Sequence, residues 1–141
     1  MKVIQPDRKY DDIKLQNLGR RPTTLNDIKG LLTLIDRTPG NVMEIGAWYG
    51  KTTYEMAQRF PDKIFYTVDW LENEISDREQ AARTEFEDLC KYARHFKNVH
   101  YEYKQSSRID YKSYDNITMI FIDGDHSYEG VKKDSELALD Y

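Results

Sequence analysis

The chain has 141 residues, 21 of them basic and 25 acidic, for a net charge of −4; the length suits one domain with a sizeable core. The acidic balance leaves no basic surface to hold a phosphate backbone, so nucleic acid is not an expected partner. A single cysteine, Cys90, excludes an internal disulfide, no apolar run approaches the roughly 20 residues of a membrane helix, and the N-terminus lacks a signal-peptide pattern. A cytoplasmic protein with no membrane partner is the expectation.

Residues 1–22 mix charges with Pro6, Gly19 and Pro22 and show no period, so they read as an N-terminal arm ahead of a domain over 23–141. From Thr24, the residues Leu25, Ile28, Leu32 and Ile35 recur at helical spacing, with Thr24 and Asp27 as cap residues and Pro39-Gly40 as a stop. Val42 to Ile45 predicts a short strand and Lys51 to Phe60 a helix. Lys63 to Trp70, rich in aromatic and β-branched residues, predicts a second strand. A long charged helix is expected from Ser76 to His95, with Ala82, Phe86, Leu89, Cys90 and Ala93 on one face. Val99 to Tyr103 alternates as an edge strand should, Ile117 to Ile122 is a fully apolar strand, and Ser127 onward is helical in pattern. Strands alternating with helices predict an α/β fold with a parallel sheet and right-handed crossovers. Ligands bind such sheets at the carboxyl ends of the strands, where Glu44 to Gly50, Asp69, Ser106, Ser107 and Asp123 to His126 all fall.

The loop after the first strand reads Glu44-Ile45-Gly46-Ala47-Trp48-Tyr49-Gly50-Lys51-Thr52-Thr53. It lacks the glycine spacing of dinucleotide sites and P-loops, which makes pyrophosphate and triphosphate poor ligands. An acid at its head repels phosphate and suits a ligand carrying an ammonium group. The plainer alternative is a strand-to-helix turn whose glycines serve packing alone. Asp69, at the end of the next strand, can accept hydrogen bonds from a ribose diol or cap the following turn. Trp70 can cover an adenine face or take a core or rim position, and Ser106 or Ser107 can bond adenine nitrogens. Asp123-Gly124-Asp125-His126 offers two oxygen ligands for magnesium or calcium and an imidazole able to take a hydroxyl proton. The same turn also reads as a helix cap through Asp125 or Ser127.

The glycine loop resembles the first motif of class I S-adenosylmethionine-dependent methyltransferases, in the form used by catechol-type O-methyltransferases. The stretch from Phe121-Ile122-Asp123-Gly124-Asp125-His126-Ser127-Tyr128-Glu129-Gly130-Val131 to Asp134 is similar to a second signature, found in small-molecule and sugar O-methyltransferases. The resemblance implies a Rossmann-like sheet of order 3-2-1-4 with flanking helices, and S-adenosylmethionine as cofactor. It implies that Glu44, Gly46, Ala47, Trp48, Tyr49, Gly50 and Thr52 hold the methionine part, Asp69 and Trp70 the ribose and adenine, and Ser106 or Ser107 the adenine edge, with Asp123 completing the cofactor site. Asp123 matches the family's first magnesium ligand, with Asp125 the second oxygen ligand that the turn itself offers, and His126, with Asp123, is the implied catalytic pair acting on the hydroxyl of a small-molecule or sugar acceptor. Members of the family continue with further strands, so a chain ending at Tyr141 implies either a truncated or minimal form of the fold, in which the acceptor pocket has been lost, or a homo-oligomer in which a second copy covers the edge left at strand 4. Two further functions stay open on this reading: a cofactor-binding module without catalysis, and a lyase acting on S-adenosylmethionine itself.

Overall fold

A computed structural model describes residues 5–19, 23–70 and 88–140. The first helix, α1 (Leu25–Arg37), starts at a full capping box: the Thr24 side chain accepts from the Asp27 N–H, and the Asp27 carboxylate accepts from the Thr24 N–H. Its inward face is Ile28, Leu31, Leu32 and Ile35, whereas Leu25 is exposed. Strand β1 (Asn41–Ile45) follows, then α2 (Lys51–Arg59), β2 (Phe65–Asp69), β3 (Val99–Tyr103), β4 (Ile117–Ile122) and α3 (Tyr128–Leu139).

All three strand pairings are parallel and the order is β3-β2-β1-β4, the expected sheet, with β3 at one edge as its polar alternation predicts. Central β1 is buried on both faces. On one side Val42 and Phe65 pack with Leu31, Ile35, Met56 and Ala57 from α1 and α2. On the other, Met43, Ile45, Tyr66 and Val68 pack with Tyr111, Tyr114 and Leu137. The N-terminal arm packs against α1 and α2. Tyr10 is buried beside Ile28 and Leu32, and the Gln16 N–H donates to Glu55 Oε1 at 2.9 Å.

The expected helix from Ser76 to His95 is corrected where it is described. Residues 76–87 lie outside the described residues, and 88–95 form a series of turns. Cys90 has φ 52, which an α-helix cannot accommodate. Its N–H donates to Trp48 O at 2.5 Å, and that of Tyr92 to Tyr49 O at 3.1 Å. Leu89, Cys90 and Ala93 are buried as the apolar spacing requires, but two of the backbone donors serve the glycine loop in place of a helix ladder.

Candidate functional site

The ends of β1, β2 and β4 meet because the loop at Gly46 is stitched to both neighbours. The Gly46 N–H donates to Val68 O at 2.9 Å and the Asp123 N–H to Ile45 O at 2.8 Å. Gly46 (φ 91) and Gly50 (φ 75) supply the positive φ values of this turn. Both also serve packing. A Cβ on Gly46 would lie 2.4 Å from Asp123 O, and one on Gly50 would lie 3.0 Å from Cys90 Sγ. Trp48, also at positive φ (42°), is held there by its N–H bonding to Asp69 Oδ2.

Three carboxyl groups stand at these strand ends. Glu44 is 1% exposed; it accepts from the Thr53 hydroxyl and from Thr67 Oγ1 at 3.0 Å. Burial pushes its pKa up to about 7, against the lowering effect of the two hydroxyls, with Asp123 and Asp69 adding repulsion. Asp69 takes Trp48 N–H on one oxygen and Trp70 N–H, at 2.6 Å, on the other. Burial raises its pKa, and the backbone N–H bonds pull it back. Asp123 is raised by burial and lowered by His126, whose Nε2 lies 3.9 Å from Asp123 Oδ1.

Glu44 makes stability pH-dependent. Between the ordinary carboxyl value of 4.5 and about 7, the unfolded chain has released this proton while the folded one keeps it. The contribution is therefore a loss of stability as pH rises through that window. Glu44→Gln should flatten this part of a chemical-denaturation profile measured from pH 4.5 to 7.5; an unchanged slope would assign the titration elsewhere.

The other expected residues divide. Trp70 stacks on Tyr103 with ring centroids 4.8 Å apart and 25° between planes, an aromatic surface immediately beyond Asp69. Ser106 and Ser107 lie in a short 3-10 turn over Ser106–Arg108, Ser106 half-buried and Ser107 exposed. Tyr49 stacks on Trp48 at 4.5 Å and carries Lys91 Nζ 4.7 Å from its ring. Ala47 is buried, and the Thr52 hydroxyl lies 3.2 Å from the Thr23 hydroxyl, a contact that ties the start of α2 to the residue before the α1 cap.

Asp125 is not placed as a metal ligand. Its Oδ1 accepts from the Ser127 N–H at 2.8 Å and its Oδ2 from the Ser127 hydroxyl at 2.9 Å, which holds its carboxyl below the usual carboxylate range. Ser127 in turn caps α3 by accepting from the Gly130 N–H at 3.0 Å. Asp125 thus braces a helix cap. Among the described residues, no three His, Cys, Asp or Glu side chains gather closely enough to hold a metal ion. A magnesium ion wants near-octahedral oxygen coordination, so this donor set does not fit it and no step is derived through it.

Sequence reasoning missed Tyr103, Thr67 and the cover that residues 88–92 give the loop. The signal for Tyr103 was available: in a parallel sheet, the residue ending β3 falls beside the one ending β2, and the register pairs Asp69 with Tyr103.

This edge of a 3-2-1-4 parallel sheet has a glycine turn after β1 and acids at the carboxyl ends of β1, β2 and β4, the end at which α/β sheets bind their ligands. Residues 43–141 match the family of methyltransferase domains, well over half of the chain, and the protein belongs to that family. No curated protein matches it. Among the described residues, no helix is long and apolar enough to cross a membrane.

Proposed function

We propose that the protein transfers a methyl group from S-adenosylmethionine to the hydroxyl of a small molecule or sugar. The observation that carries this reading is the meeting of Glu44, Asp69 and Asp123 with the Trp70–Tyr103 stack. The carboxylates of Asp69 and Asp123, with the buried Glu44 behind the loop, suit a ligand bearing a sulfonium and an ammonium, and stacked rings suit its adenine. Asp69 would receive the ribose hydroxyls, Trp70 and Tyr103 the base, Ser106 or Ser107 its edge, and the loop from Gly46 to Gly50 the methionine part near Glu44. The cofactor supplies an electrophilic methyl on sulfur. His126, 82% exposed at its side chain, accepts the acceptor's hydroxyl proton, and Asp123 orients the ring and stabilises the imidazolium.

Calorimetry with S-adenosylhomocysteine is the first test, and absence of binding up to millimolar concentration would end the reading. His126→Ala should leave that affinity within about twofold while turnover falls on the order of 10²–10⁴, followed as methyl transfer from labelled cofactor. The exposure of His126 also favours a second reading, a module that holds the cofactor without catalysing transfer; it predicts normal binding and no methylated product with any acceptor. Cofactor incubated with the protein alone tests for a lyase, which needs no acceptor.

A further inference from the structure

Glu55, in the middle of α2, is a charged side chain with no exposed surface, and methyl transfer gives it no task. Both of its oxygens are engaged. Oε1 accepts the Gln16 N–H at 2.9 Å, while Oε2 accepts from Gln58 Nε2 at 2.9 Å and pairs with Arg59 Nη1 one turn further along the helix. The same guanidinium reaches the arm, its Nη2 donating to Lys14 O at 3.1 Å. One ion pair, buried at its carboxylate, thus holds the arm by the backbone at two positions. Just before them, Tyr10, Ile13 and Leu15 pack with Ile28, Leu32 and Phe60. A buried ion pair costs desolvation that an apolar contact avoids, but two directional backbone bonds fix a register that apolar packing alone leaves free to slip.

The register matters because of where the chain goes next. A Cβ on Gly19 would lie 3.8 Å from Lys51 Nζ, and the hydroxyl of Thr23, the residue before the α1 cap, lies 3.2 Å from that of Thr52. Lys51 and Thr52 open α2 directly after Gly50, the last residue of the glycine loop, and Thr53 beside them donates to Glu44. We infer that the Glu55–Arg59 pair is a clasp that sets the register of the arm, and that the clasped arm closes the ligand site at the start of α2. Glu55 is then a positioning residue, acting through the arm without touching the ligand. The inference rests on the reading of this edge as a site for S-adenosylmethionine. If the closed arm favours the ligand, the ligand must favour the closed arm to the same extent.

Exchange of the Gln16 amide hydrogen, followed by NMR, reads the clasp directly. Saturating S-adenosylhomocysteine should slow it about tenfold or more in the wild-type protein, because the bound ligand has to leave before the arm opens. Glu55→Gln keeps an acceptor for the Gln16 N–H and removes the charge opposite Arg59. It should speed the exchange about tenfold or more and weaken S-adenosylhomocysteine about fivefold or more in calorimetry. Gln16→Pro deletes the donor without altering either helix, and it should weaken the ligand to a similar extent with the circular dichroism spectrum of the wild type. A clasp serving stability alone would give faster exchange in Glu55→Gln at unchanged affinity, and that result would overturn the inference. Wild-type protein that bound S-adenosylhomocysteine without protecting Gln16 would also overturn it and leave the cofactor reading standing; wild-type protein that did not bind at all would remove that reading and the inference together.

Discussion

Replacing Asp69 by alanine is expected to weaken S-adenosylhomocysteine binding by roughly 1.5 to 3 kcal/mol, because hydrogen bonds to a charged acceptor are lost. On the order of 10- to 150-fold in the dissociation constant corresponds to that loss. The carboxylate also accepts the N–H groups of Trp48 and Trp70, so alanine removes support from the loop as well as a ligand contact. Asp69→Asn separates the two effects, since it keeps one acceptor oxygen for the backbone and removes the charge. Its affinity should fall between wild type and alanine, with a smaller drop in melting temperature than alanine gives. Burial raises the Asp69 pKa, so binding should begin to fail on acidification at a higher pH than an ordinary aspartate would dictate. Calorimetry between pH 4 and 8 checks this. Equal affinity in all three proteins would place the ribose elsewhere.

Elements with a complete local signal were legible in the sequence. The Thr24–Asp27 capping box is written in two residues and the apolar run Ile117–Ile122 in six, and both stand where expected. Strand–helix alternation with a polar β3 was enough for a sheet with β3 at its edge, and the resemblance supplied the order. Failures came where a backbone group had two possible partners. The spacing of Leu89, Cys90 and Ala93 reports only burial, and all three are buried; that Cys90 and Tyr92 donate to Trp48 and Tyr49 depends on a loop some 40 positions earlier. Asp125 was ambiguous for a similar reason. An acid two residues before a serine can ligate a cation or brace a cap, and the choice rests on where Ser127 turns.

The glycines show the same limit and lead to the largest stability effect expected in this chain. Gly46→Ala should destabilise the fold by about 2 to 5 kcal/mol, a sum of the left-handed backbone cost and overpacking. At φ 91, a side chain is strained before any contact is counted. The added Cβ would then meet Asp123 O at 2.4 Å, and Asp123 C and Gly124 Cα at 2.5 Å. All three are backbone atoms, and the Asp123 N–H is fixed to Ile45 O at 2.8 Å, so no rotamer relieves the clash. Relief requires the β1 and β4 ends to separate, which would also move Asp123 and His126 away from the glycine loop. Gly30 supplies the control. It lies within α1, a Cβ there would meet nothing within 4 Å, and Gly30→Ala should stabilise by about 0.5–1 kcal/mol through reduced backbone freedom. Urea denaturation of the two variants should therefore move in opposite directions from wild type. If Gly46→Ala unfolded at the wild-type midpoint, the close packing of the first loop on Asp123-Gly124 would be wrong, and with it the convergence of strand ends on which the proposed binding site rests.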